Sequence, residues 1–328
     1  MALTTVRSSS EAAVEATVAA ALSGRRADVR GRAFELGLLA SLLVCLIVLG
    51  VLIAQVLADG LPVYTDRGWE FLDGGLSRRP AEAGISQGLI GSFWIALAVA
   101  AITFPMGVGA AVYLEEYAPR NRITSFIELN IRNLAGVPSV VYGLLGLAIF
   151  VEAMGGFSGA GGVARRTLAA AAITLAALAL PIIIITAGEA IRAVPQSLRE
   201  GAYGAGATRW EVIRTVVLPY AAPGMFTGAL LSISRAVGEA APLIVVGAVT
   251  GFSSQGVGLN PANIFNPSAL GERFTAMPAV ITSWAKQPED EVNRVNTAAA
   301  IIGLLVFVIL INAIAIVLRN RFEKKRSL

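Results

Sequence analysis

The stretch EGAYGAGATRWEVIRTVVLP, residues 200–219, is a polar interruption between two long apolar segments. Its pattern predicts a short helix, a turn and a second helix, with Ala202 on a small apolar side and charged residues facing solvent. Gly206 supplies either a turn with positive φ or a close backbone approach, and Pro219 suits the first turn of the next helix. Such a compact helix pair fits a groove on a partner protein. The alternative is an ordinary solvated loop between two helices.

The chain around this stretch is too apolar for an ordinary soluble domain. Of its 328 residues, 55% are hydrophobic and only 15% are charged. A hydrocarbon core of about 30 Å requires about 20 helical residues. We predict six transmembrane helices, near residues 36–58, 88–113, 133–152, 167–189, 217–249 and 295–318. The expected fold class is an all-α integral membrane protein, with a membrane domain at 34–322 between tails at 1–33 and 323–328.

The distribution of basic residues predicts the orientation. Arginines precede the first predicted helix, and a basic cluster follows the last one. By the positive-inside rule both termini and the loop at 197–219 are expected in the cytoplasm, which agrees with an even number of spans. The net charge of +4 is therefore a topology signal and gives no reason to invoke nucleic acid.

Metal and nucleotide sites are not expected in this chain. It has no histidine and a single cysteine, Cys45, so a metal site of the usual kind is not predicted. The phosphate-binding pattern G-x4-G-K-[ST] does not occur anywhere in the sequence. We therefore predict no cofactor and no enzyme activity of its own, and any ATP that drives it is hydrolysed by another subunit.

The stretch SISRAVGEAAPL, residues 232–243, places two opposite charges inside an apolar segment. Arg235 and Glu239 are one helical turn apart, so they share a helix face. A charge at the centre of a membrane helix costs roughly 2.5 to 3.5 kcal/mol, so the pair is expected at the interior surface of the bundle. Gly238 and Pro242 predict a local break in the helix.

Two hypotheses explain this charge pair. In the first, it is a self-neutralising ion pair that fixes helix packing. In the second, Arg235 lies beside a translocation path, where its planar guanidinium meets a tetrahedral oxyanion. Glu239 then keeps the arginine from holding the anion too tightly, since a conduit must release what it admits.

The chain resembles the PstA family, the membrane permease subunits of bacterial phosphate-specific ABC importers. Together with the six predicted spans, the resemblance covers about residues 35–325. It is carried by LAGVPSVVYGLLGLAIFV (134–151), AIRAVPQSLREGAYGAGATRWEVIRTVVLP (190–219), SRAVGEAAPL (234–243) and FTAMPAVITSWAKQP (274–288). Within the second stretch, residues 197–219 resemble the cytoplasmic EAA loop of such permeases, with Gly201 where alanine is usual.

The resemblance implies a type I ABC importer permease fold with a cytoplasmic coupling helix in the EAA loop. The residues implied in ATPase coupling are Glu200, Ala202, Gly206, Leu218 and Pro219. The implied partners are a PstC-like permease in a heterodimer, two PstB-like ATPase subunits that bind ATP and Mg²⁺, a periplasmic phosphate-binding protein and the lipid bilayer. The implied function is ATP-driven import of inorganic phosphate across the inner membrane.

Two alternatives to phosphate import remain at this point. A permease for another oxyanion, such as molybdate, sulfate or phosphonate, has similar chemical requirements. A secondary transporter is expected to show inverted repeats and broken midplane helices, and no convincing repeat occurs in the sequence.

Overall fold

The computed structural model describes residues 14, 17, 29–77, 79–153, 166–248, 258–287 and 291–324. Its helices, numbered in chain order, are α1 Val29–Asp66, α2 Gly68–Asp73, α3 Ser86–Val112, α4 Arg122–Ala135, α5 Ser139–Gly146, α6 Leu168–Arg192, α7 Gln196–Gly204, α8 Arg209–Val212, α9 Leu218–Gly238, α10 Ala241–Val246, α11 Pro261–Ile264, α12 Met277–Ala285 and α13 Glu291–Lys324. Three π-helical turns extend these helices: Tyr113–Tyr117 after α3, Leu147–Ala153 after α5, and Ile213–Val217 between α8 and α9. Short 3₁₀ turns occur at Pro80–Glu82 and Pro267–Gly271.

Five helical segments are long and apolar enough to cross a membrane. They are Arg30–Asp66, Ser86–Tyr117, Leu168–Arg192, Arg209–Gly238 and Arg294–Val317. A sixth span is obtained if α4 and α5 count as one broken span, since Arg122–Ala135 and Ser139–Glu152 meet at 100°. This confirms the predicted all-α membrane fold among the described residues.

The helix predicted near 133–152 corresponds to α5 and the π-helical turn after it, and a proline separates it from α4. α4 ends at Ala135 and α5 begins at Ser139, with Pro138 as the residue before it. Proline has no backbone N–H and disfavours helical geometry in the residue before it, so the two helices do not form one straight rod. α4 therefore lies at a steep angle to α5, as the 100° bend records.

The chain divides into two compact units, Met1–Gln55 and Val56–Leu328. In the first unit, the described residues from 30 to 55 belong to α1, and all of them are exposed. They are mostly Leu, Val, Ile and Ala, which suits contact with hydrocarbon.

The second unit is organised around α6, which packs along α3 and α9. In the most apolar part of α6, 61% of the residues are buried, more than in any other candidate span of the described chain. Small residues allow this approach: a Cβ built on Gly228 of α9 would lie 2.3 Å from Oγ1 of Thr186 in α6. The backbones of α6 and α9 therefore meet at a contact that a larger residue would force apart.

Buried apolar side chains of the described residues form three clusters. One lies between α3, α5, α6, α9 and α10 around Leu175. A second joins Phe71 of α2 to α12 and α13. The third, around Ile191, lies where α3 and α6 end and α9 begins, and it supports the EAA loop.

Candidate coupling loop and intramembrane charge pair

The EAA loop consists of α7, a tight turn and α8, which continues through a π-helical turn into α9. In the turn, the N–H of Gly206 donates to the carbonyl of Tyr203 at 2.9 Å, and the N–H of Ala207 donates to the carbonyl of Ala202 at 3.1 Å. Gly206 has φ of +87°, and a Cβ built on it would meet nothing within 4 Å. Glycine is therefore required at this position by the backbone conformation and not by a close contact.

A capping box fixes the start of α8. The Thr208 hydroxyl accepts from the N–H of Glu211 at 3.4 Å, and a Glu211 carboxylate oxygen accepts from the N–H of Thr208 at 2.7 Å. This arrangement satisfies two backbone donors that the helix itself leaves unpaired. Sequence reasoning treated Glu211 as a solvated charge, although the Thr-x-x-Glu spacing is the signal of such a box.

The residues implied in coupling divide into a supporting set and an exposed set. Ala202 and Leu218 are partly buried and pack against the cluster around Ile191. Pro219 occupies the first turn of α9, while Glu200 and Gly206 are exposed. The loop is therefore held to the membrane body by its small and apolar residues, and its charged residue and its turn face outward.

Two aromatic side chains that the sequence analysis did not assign to coupling extend this outward face. Tyr203 of α7 is 45% exposed, and Trp210 of α8 is 55% exposed. Large exposed aromatic side chains on a small protruding element are typical anchors of protein interfaces. Gly201, which departs from the family pattern, is also exposed, and a Cβ there would meet nothing within 4 Å.

The intramembrane charges lie at the end of α9, where the predicted break occurs. α9 ends at Gly238, Glu239 has an extended backbone with ψ of 114°, and α10 begins at Ala241 with Pro242 in its first turn. The segment predicted near 217–249 therefore consists of two helices, divided at the break that Gly238 and Pro242 predict. Proline in the first turn of α10 needs no helical N–H partner, which favours a new start at this point.

The predicted contact between the two charges is present. Nε of Arg235 lies 3.6 Å from Oε1 of Glu239. The Arg235 side chain is 63% exposed and that of Glu239 is 23% exposed. Within this chain the guanidinium of Arg235 lies outside the packed core, so its expected position at the interior surface of the bundle stays a prediction. The guanidinium carries further N–H donors beyond the one at Nε.

The position of Arg235 is fixed by the residue before it. The hydroxyl of Ser234 lies 2.6 Å from Oδ1 of Asn312, which joins α9 to α13. On the exposed face of α9, Leu231 precedes Arg235 by one turn and is itself 69% exposed. α9 is therefore held to α13 next to Arg235, on a face that is otherwise exposed.

The class of protein follows from comparison with known families. Residues 103–328 match the family described as "Binding-protein-dependent transport system inner membrane component". The chain belongs to this family, and it is a multi-pass membrane permease of the ABC importer class. Permeases of this class work together with an ATPase and a substrate-binding protein.

Its similarity to individual permeases extends over most of the chain. It is 33% identical over 251 residues to the probable ABC transporter permease protein YqgI of Bacillus subtilis, covering 73% of this chain and 80% of that protein. It is 31% identical over 292 residues to the phosphate transport system permease protein PstA 1 of Mycobacterium tuberculosis, covering 88% and 87%. For the phosphate transport system permease protein PstA of Yersinia pestis, the identity is 32% over 246 residues, covering 75% of both chains.

Solved structures show the same fold. A bacterial alginate ABC transporter in complex with its periplasmic protein matches with a TM-score of 0.60 at 15% identity, covering 87% of this chain and 94% of that one. The inward-facing MetNI methionine ABC transporter matches with a TM-score of 0.55 at 17% identity, covering 73% and 95%. These matches confirm the type I ABC importer permease fold.

Proposed function

We propose that this chain is the permease subunit that conducts inorganic phosphate through an ATP-driven importer of the bacterial inner membrane. The observation that carries this proposal is the similarity to a phosphate transport system permease over 88% of the chain. The break after α9 and the exposed guanidinium of Arg235 supply a suitable oxyanion contact.

Arg235 meets phosphate in this proposal. Its planar guanidinium offers paired N–H donors that match two oxygens of a tetrahedral anion. Glu239 lies beside it at 3.6 Å and competes for the same donors. The competition limits the dwell time of the anion, which a conduit needs in order to release what it admits.

Energy reaches the permease through the EAA loop. Glu200, Gly206, Tyr203 and Trp210 form an exposed face that fits a groove on an ATPase subunit, while Ala202, Leu218 and Pro219 hold the loop to the membrane helices. ATP and Mg²⁺ are bound by that subunit and not by this chain. Closure of the ATPase pair draws the two EAA loops of the importer together and turns the membrane helices from inward-facing to outward-facing. Hydrolysis then resets them.

The complete importer contains two permeases. A PstC-like chain supplies the second permease, two PstB-like subunits supply the ATPase, and a periplasmic phosphate-binding protein delivers the substrate. Both termini of this chain lie in the cytoplasm, in line with the basic residues that flank its first and last spans.

Other oxyanions are the alternative that the chemistry of Arg235 alone leaves open, since sulfate and molybdate are tetrahedral as well. The similarity to phosphate transport system permeases favours phosphate. A secondary transporter is not favoured, because the family is one of binding-protein-dependent transport.

A cell-based uptake assay tests the proposed substrate. The chain is expressed with its second permease, ATPase and binding protein in a bacterium that lacks its own phosphate importers, and uptake of radiolabelled phosphate is measured. We expect uptake that Arg235→Gln abolishes and that the exposed outer change Arg79→Gln leaves unchanged. Uptake of sulfate or molybdate in place of phosphate would contradict the proposal.

A further inference from the structure

The end of α3 carries two neighbouring carboxylates that pair with different arginines. Glu115 and Glu116 lie in the π-helical turn Tyr113–Tyr117. Oε1 of Glu115 lies 3.0 Å from Nη1 of Arg192 at the end of α6. Glu116 accepts a hydrogen bond from Nη1 of Arg199, which belongs to α7. α3 is thereby tied to α6 and to the EAA loop through adjacent residues.

Arg199 joins three helices with one guanidinium. While Nη1 donates to Glu116 of α3, Nη2 donates to the carbonyl of Ile191 in the last turn of α6, at 2.8 Å. Carbonyls in the last turn of a helix have no full set of intrahelical partners, so this one is available to an outside donor. The rigid fork of arginine suits such a double contact, which a lysine cannot reproduce.

The pair between Arg199 and Glu116 is more deeply buried than the neighbouring pair of Arg192 and Glu115. The two side chains are 15% and 8% exposed, whereas those of Arg192 and Glu115 are 40% and 19% exposed. Separating two charges inside protein leaves each of them without water or a partner, which is unfavourable. The buried pair therefore resists any movement that draws α7 away from α3.

The second half of the EAA loop contacts the same turn of α3. The guanidinium of Arg209, the first residue of α8, lies over the ring of Tyr117 at 4.9 Å from its centroid. This is a cation–π contact, and it places α8 against the residue that follows Glu116. Polar contacts from both helices of the loop thus converge on one π-helical turn, a local geometry that is frequent at functional sites.

Backbone connections explain why these side chains matter. α6 is linked to α7 by three residues, and α8 continues directly into α9. Movement of the loop reaches both membrane helices through the chain itself. α3 has no such connection, since Glu116 and Arg199 are 83 residues apart in sequence. Side-chain contacts must carry the movement to α3.

We propose that Arg199 and Glu116 are positioning residues that lock the EAA loop to the end of α3, so that α3 follows the loop when the ATPase displaces it. This inference rests on the proposed function and deepens it, because it names the linkage through which ATP hydrolysis reaches a third membrane helix. The residues touch neither phosphate nor ATP. They act by keeping α7 and α3 at a fixed separation throughout the cycle.

The first test compares transport with ATP hydrolysis. Glu116→Gln together with Arg199→Met removes both charges and leaves no unpaired one. In proteoliposomes that contain the whole importer, we expect the ATPase to remain bound and active, while the phosphate moved per ATP falls about fivefold or more. The matched control, Arg79→Gln with Glu82→Gln, removes an exposed pair and should not alter the ratio. An unaltered ratio in the first double variant would overturn the linkage.

Arg199→Lys covers the case in which the double variant does not assemble. It keeps the positive charge but replaces the two-pronged contact with Glu116 and Ile191 by a single ammonium. We expect the phosphate moved per ATP to be lower than in the unmodified importer but still above zero. A ratio equal to that of the unmodified importer would count against the proposal.

A distance measurement tests the linkage without reference to the substrate. Spin labels are attached through Gln196→Cys in α7 and Met106→Cys on the exposed side of α3, in a Cys45→Ser background. With the ATPase bound, the distance between the labels should be the same with and without trapped ATP. In the double variant Glu116→Gln with Arg199→Met, trapped ATP should change this distance. A change in the otherwise unmodified chain would refute the linkage even if another anion were the substrate.

Discussion

The two hypotheses for the charge pair make different predictions about the burial of Arg235. A pair that only fixes packing is expected to bury both partners, as Arg199 and Glu116 are buried. Arg235 is instead 63% exposed, on a helix that Ser234 anchors to α13. The exposure therefore favours a role in contacting another molecule, and the packing role remains the hypothesis to be tested against it.

Replacing both charges separates these hypotheses. Arg235→Gln with Glu239→Gln removes the pair without leaving a single charge in the membrane. We expect an importer that assembles and hydrolyses ATP but transports little phosphate, because the guanidinium contact is lost. The measurement is phosphate uptake beside ATPase activity in the same vesicles. Full uptake by the assembled double variant would show that the pair is structural.

Gly206 tests the turn of the EAA loop. Its φ of +87° disfavours residues with a Cβ, at a cost of about 1–2 kcal/mol. We expect Gly206→Val to weaken ATPase association about tenfold, because the turn shifts. Gly204→Val is the matched control, since that glycine is equally open but is not among the residues with positive φ. Equal ATPase affinities of the two variants would show that the turn at Gly206 is not needed for ATPase binding.

At the scale of elements, the sequence predicted the helices that hydrocarbon thickness dictates, because a span needs about 20 apolar residues wherever it occurs. Pro138 indicates a kinked entry to the helix predicted near 133–152, but not the 100° angle between α4 and α5. Nothing in the sequence indicates the π-helical turns at Tyr113–Tyr117 and Ile213–Val217. Those features add or redirect one turn of helix. The size of the bend and the π-helical turns leave no periodic signal in the sequence.

The EAA loop was predictable in its pattern and less so in its contacts. The turn at Gly206 followed from the glycine, and Pro219 lies at the start of α9 as expected. The sequence alone does not assign Tyr203 and Trp210 to coupling, since aromatic residues near a membrane also suit interfacial positions. Only the three-dimensional arrangement separates these two positions from the buried apolar residues beside them.

The exposed face of α8 leads to a prediction about docking. We expect Trp210→Ala to weaken ATPase binding about thirtyfold, which corresponds to an interface anchor of about 2 kcal/mol. The thermal stability of the isolated permease should not change, because the side chain is 55% exposed. Phe265→Ala serves as the control, since that aromatic side chain is 68% exposed in another part of the fold. Unchanged ATPase binding in the first variant would place the anchor elsewhere.

At the scale of the whole molecule, the six predicted spans lead us to expect the EAA loop and both termini on one side of the membrane. The basic residues predict that this side is the cytoplasm. No sequence pattern could have connected Glu116 with Arg199, because they are 83 residues apart and their partnership arises from the packing of α3 against α6. The sequence thus predicts an orientation from its basic residues, whereas the pairing of these two distant residues needs the structure.

Thiol labelling of whole cells tests this topology. In a Cys45→Ser background, Phe265→Cys should react with an impermeant reagent from outside. Ala205→Cys, in the exposed turn of the EAA loop, should react only after the membrane is opened. Labelling of the second variant in intact cells would reverse the proposed orientation.

The central claim is that this chain conducts phosphate when an ATPase acts on its EAA loop. The most direct measurement is accumulation of radiolabelled phosphate by proteoliposomes that hold the purified importer, with ATP inside and the phosphate-binding protein outside. The account predicts accumulation that requires ATP and is lost in Arg235→Gln. Accumulation without ATP, or none with every subunit present, would contradict it.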